Sequence, residues 1–101
     1  MSKFPTVGKD KYDKDLAQKH GLNKAQFLVL LFLKKFRRPA TYREVEQGTG
    51  YYSILTVTMN SKHKQSLAGR GFIREIFHEP MEGERSFIRF QIAPKGQKVF
   101  K

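Results

Sequence analysis

The longest apolar run is Phe27-Leu28-Val29-Leu30-Leu31-Phe32-Leu33, with polar residues on both sides. Asn23 and Gln26 stand before it at capping-box spacing, and Leu22 and Phe27 are placed as a hydrophobic staple. Lys34, Lys35 and Arg37 crowd the far end and Pro39 closes it, so the pattern predicts a helix over 24–36. A helix apolar all round must be covered on every side. Upstream, Asp10 to His20 has acids in its first turns and Lys19 and His20 at its end, before Gly21. This predicts a short helix after a flexible arm, Met1 to Lys9. Downstream, Thr41-x-x-Glu44 is a second capping box and opens a short helix ending at Gly48. Gly48-Thr49-Gly50 then makes a tight connection.

The next segment carries two patterns at once. Tyr51 to Thr58 is aromatic and β-branched, which suits a strand. Yet Tyr52, Leu55, Met59, Ser66 and Leu67 share one side of a helical wheel, with His63 between them. The reading adopted is a helix over 52–68, stopped by Gly69 and Gly71. Phe72 to His78 reads as a strand, 79–84 as a turn, and Arg85 to Ile92 as the partner strand, with Ile88, Phe90 and Ile92 on one side. Pro94 suits the first turn of a last short helix.

Charge changes the picture. The 101 residues carry 20 basic and 9 acidic side chains, a formal net charge of +11. The signs are not interleaved: Leu16 to Arg43 and Gln47 to Arg74 contain no acid. Such a field favours polyanions, nucleic acid before membrane. The length fits one domain, divided here into an N-terminal arm with a short helix, 1–21, and a main domain, 22–101. No cysteine is present, which leans towards a reducing, cytoplasmic setting and excludes thiol catalysis and cysteine zinc sites. The apolar run is far short of the ~20 residues that span a bilayer, and no membrane partner is expected.

A short helix, a glycine turn and a longer helix form a helix-turn-helix, whose second helix can enter the major groove. Leu67-Ala68-Gly69-Arg70-Gly71-Phe72-Ile73 and Phe90-Gln91-Ile92-Ala93-Pro94-Lys95-Gly96 resemble the entry to and exit from the wing in winged-helix regulators of the MarR and PadR type. The resemblance covers 22–101. It implies an α+β winged helix with an extra N-terminal helix, acting as a sequence-specific binder of double-stranded DNA and regulator of transcription. It also implies a homodimer, although the long C-terminal dimerisation helix of those families has no counterpart here. Helix 24–36 with the N-terminal segment is one candidate for that role. The alternative is that the N-terminal helix folds back over it.

On helix 52–68 the polar face carries Ser53, Thr56, Asn60, Ser61 and Lys64, types that read base edges. Arg43, Tyr51, Lys62, Arg70, Arg74 and the Lys34, Lys35, Arg37, Arg38 cluster are expected phosphate contacts. So are the free amides of the helix opening at Tyr42. Glu79, Glu82 and Glu84 make the wing tip acidic, with only Arg85 and Arg89 to offset them, which argues against deep wing insertion. His20, His63 and His78 lie on separate elements, and Asp10, Asp13 and Asp15 lack the glycine and closing glutamate of a calcium loop. No enzyme, metal or cofactor is therefore expected. Other readings stay open: RNA binding, a sequence-neutral architectural DNA protein, and a protein–protein module using 27–33.

Overall fold

The computed structural model describes residues 6–77 and 88–100. A single 3₁₀ turn, Lys9–Lys11, precedes α1 (Lys14–Lys19), where one continuous helix from Asp10 was expected. The break falls at Asp13, whose carboxylate accepts from the Leu16 amide and so starts the helix afresh. The arm ahead of it is not free over its described part. Val7 is buried, and its amide donates to the Gly48 carbonyl at 2.8 Å.

The central helix α2 (Lys24–Phe36) has the bounds its sequence predicts. The capping box closes in both directions: the Gln26 amide donates to Asn23 at 2.8 Å, and the Asn23 amide to Gln26 at 3.0 Å. Leu22 and Phe27 are both buried, as a staple requires. Eight of the thirteen α2 residues are buried by the chain itself. Tyr12 meets Phe27 edge-on at 5.7 Å, and Phe100 meets it from the other side at 5.4 Å. The N-terminal segment thus folds back over α2. A second copy would find Lys24, Lys34 and Lys35 as its exposed positions, so α2 offers little apolar area for a dimer.

Next comes α3 (Tyr42–Thr49), opened by the Thr41–Glu44 capping box and ended by Gly50 in the left-handed region, φ 80°. It packs tightly on α2: a Cβ at Gly48 would run into the Phe32 ring. Leading out of α3, Tyr52 to Ile54 turn into α4 (Leu55–Met59). The chain then bends at Asn60, which is extended at ψ 134°. Residues 61–71 form successive turns, and of the helix expected over 52–68 only 55–59 is helical.

The hairpin pairs β1 (Ile73–Phe77) with β2 (Ile88–Ile92) antiparallel, Glu75 opposite Phe90. The expected turn, with Arg85, His78 and the three glutamates of the expected tip, falls outside the described residues. Ala40 bridges Phe90 on the free edge of β2, with both backbone bonds at 2.8 Å. Pro94 opens α5 (Pro94–Lys98) at its first turn. The architecture is α+β. One core joins α2, α3, α4 and the inner face of the hairpin through Leu30, Phe32, Val45, Leu55, Met59, Leu67 and Phe90.

Candidate nucleic-acid interface

The break at Asn60 has a local cause. Ile54, Thr56, Val57 and Thr58 are β-branched and weak helix formers, and Thr58 turns its hydroxyl back to the Ile54 carbonyl at 2.8 Å. Asn60 then holds two partners that a continuing helix would forbid. Its Nδ2 donates to the Tyr42 hydroxyl at 3.0 Å, and its Oδ1 accepts from the Lys62 amide at 2.9 Å. Ser61 is held twice by Glu75, amide to Oε2 at 2.8 Å and hydroxyl to Oε1 at 2.6 Å. The carbonyls freed at the end of α4 are met from downstream: Leu67 and Ala68 donate to Thr58 and Met59 at 2.7 and 3.2 Å.

This rearranges the expected base-reading face. Ser53 and Thr56 are exposed on the turn into α4 and on α4 itself. Asn60 is half-buried with its carboxamide engaged on both sides, and Ser61 is tied to a carboxylate. Neither is presented as a base reader. Lys64 is exposed, but on the turn region rather than on a helix. Tyr52, which the helical wheel puts on the side of Leu55 and Met59, is 62% exposed, and Ile54 and Val57 are 41% and 59% exposed. The outward side of α4 is therefore uncharged, with methyl groups set among hydroxyls. The helical wheel misplaced Tyr52 because the helix does not extend back to it; the other four wheel positions, Leu55, Met59, Ser66 and Leu67, are buried.

The structure scatters the expected phosphate contacts. Arg43 and Lys62 are exposed, as is Lys64 from the expected base-reading set. Arg43 follows Tyr42, which is bonded to the end of α4 through Asn60. Arg70 is structural: its guanidinium donates to the His20 and Gly21 carbonyls at 2.8 and 2.7 Å and lies over Phe72. That arrangement closes the C-terminal end of α1 and leaves the group half-buried. Tyr51 is half-buried against the core. Arg74 is exposed on the outer face of the hairpin, on the opposite side from Glu75. Arg89 lies 3.8 Å from Glu44, each about a quarter exposed.

Lys34, Lys35, Arg37 and Arg38 are exposed but stand apart. Gln26, near the start of α2, donates to the Gln65 carbonyl at 2.7 Å and so marks where the 61–66 turns sit. Lys34 is eight residues farther along, about 12 Å of helix. The start of α3 is also no anion cradle. Its capping box is closed, and Glu44 puts a carboxylate where a phosphate would sit.

No group of three histidine, cysteine or acidic side chains could hold a metal ion among the described residues. No helix among them is long and apolar enough to cross a membrane. Compared with family models, curated proteins and solved structures, the chain matches none.

Proposed function

We propose that this chain is a winged-helix module that binds double-stranded DNA with α4 in the major groove, as a non-enzymatic, sequence-specific regulator of transcription. The observation that carries the reading is the α3–Gly50–α4 unit. It presents an uncharged outward face, Ser53, Thr56 and Val57, with exposed cations at Lys62 and Lys64 just beyond its C-terminal end and Arg43 next to Tyr42, which bonds that end. Phosphates are met by charge, whereas base edges are read by short hydroxyls and methyl groups. The five-residue α4 is about 7.5 Å long, which fits within a major groove about 12 Å wide. The bridge from Ala40 to Phe90 ties the segment before α3 to the free edge of the hairpin, which supports a wing anchored beside a helix-turn-helix.

The exposed side chains of Tyr52, Ile54 and Val57 also favour a second reading, in which the same face docks a protein. Selection of bound fragments from a random duplex pool separates the two. The DNA reading expects an enriched sequence and a log affinity falling with log salt by about 0.9 per phosphate neutralised. Thr56→Glu, at an exposed position, should weaken that binding at least tenfold and leave melting unchanged. No enrichment together with a flat salt response would remove the DNA reading and leave the protein-docking one.

A further inference from the structure

The cations that the fold separates from α4 line a cleft of their own. It has a volume of about 380 Å³ and lies between the end of α2, the root of β2 and α5. Lys34, Arg37 and Arg38 supply three positive charges, and no acid is among the lining residues. Gln91 and Gln97 bring two carboxamides, and Leu33 and Ile92 form an apolar floor. The size falls in the range of small-molecule sites, about 300–1,000 Å³.

Helix-dipole compensation accounts for Lys34 and Lys35 in the last turn of α2. It does not account for Arg37. This residue caps the helix in the left-handed region at φ 64°, the single non-glycine residue with positive φ among the described residues. Glycine is the usual occupant of such a position, and any other L-residue costs about 1 kcal/mol there. The left-handed turn nonetheless gives Arg37 a place on the cleft wall beside Arg38. Arg38 is steadied in turn, its guanidinium 4.0 Å from the Phe36 ring centroid. The α2 C-terminus itself opposes an anion with roughly half a negative charge, a small term against three cations.

The backbone adds a further group. Phe90 directs its amide and carbonyl to Ala40 on the outer edge of β2. The two-residue alternation of an antiparallel strand turns those of Ile92 to the same edge, where the chain runs back through Arg38 and Arg37.

We infer that this cleft binds a small ligand carrying two adjacent phosphates, held by Lys34, Arg37 and Arg38 at one end and by the Gln91, Gln97 and apolar surface at the other. The site is separate from the α4 face and does not depend on its function. Calorimetric titration of the whole chain with inorganic pyrophosphate, and in a second arm with ADP, tests it. Saturable one-to-one binding is expected. ADP tighter than pyrophosphate points to a nucleotide as the source of the diphosphate; equal affinities point to the diphosphate alone.

Two variants fix the location. Arg37→Gly should weaken binding at least tenfold while raising the melting temperature, because glycine relieves the left-handed turn. A purely structural arginine would not give opposite signs in the two readouts. Lys14→Ala removes an equal charge at an exposed position on α1 and should change affinity by less than twofold. Equal weakening by both variants would reduce the effect to diffuse charge and overturn the proposal. So would the absence of saturable binding, including the case in which duplex DNA alone protects the cleft.

Discussion

The α2 helix and the segment from Tyr52 to Ala68 are both read from sequence as long helices, and only α2 is one. Both apolar patterns, all round in one and one-sided in the other, are compatible with a helix. In α2 the strongest signals are local and agree: a capping box, a staple, a run of leucines, and cations in the last turn. In the second segment the local signals are weak, since four β-branched residues occupy 54–58. The outcome is then decided by partners distant in sequence. Tyr42, 18 residues away, takes Asn60, and Glu75, 14 residues away, takes Ser61. A helix that does not hold itself together is shaped by whichever side chains the fold brings beside it.

The largest effect expected from this contrast is in α2. Leu30 is fully buried, and Leu30→Ala should cost about 2–5 kcal/mol of stability by denaturant unfolding. A cost below 1 kcal/mol would mean that α2 is not the centre of the core. Gln26→Ala comes next, at about 1–3 kcal/mol, because it opens the capping box and leaves the Gln65 carbonyl without its donor.

Ser61→Ala should be smaller, about 1 kcal/mol, since the bonds to Glu75 are exposed. Hydrogen exchange sharpens this prediction: the 61–66 amides should exchange faster in the variant, with α2 unchanged. Equal acceleration in both would show that the two segments open as one unit. The smallest stability change belongs to Val57→Ala, within about 0.5 kcal/mol, because Val57 is 59% exposed. Its effect should fall on binding instead. Replacing thymine by uracil at a contacted position of the selected duplex should weaken binding to the native chain about fourfold, one methyl being worth about 0.8 kcal/mol. The Val57→Ala chain should respond less.

Much of the fold was legible for the same reason that α2 was. The Thr41 and Asn23 caps, the alternation of Ile88, Phe90 and Ile92, and Pro94 at a first turn are all short-range signals, and the structure has an element at each. Contacts distant in sequence were not legible. Nothing near Arg70 marks it for carbonyls 49 and 50 residues away. Nothing near Val7 marks it for the Gly48 carbonyl, or Ala40 for Phe90. The candidate interface suffered most, since it lies on the segment whose shape is set from outside. Ser53 and Thr56 stay on its outward face, Asn60 and Ser61 are engaged by Tyr42 and Glu75, and Tyr52, Ile54 and Val57 are exposed there.

The most direct test of the α4 face is an amide chemical-shift map of the native chain titrated with its selected duplex at moderate salt. The account predicts the largest shifts at 52–57, with smaller ones at Arg43, Lys62 and Lys64. Shifts concentrated at 33–38, or spread evenly over all exposed lysines, would contradict it.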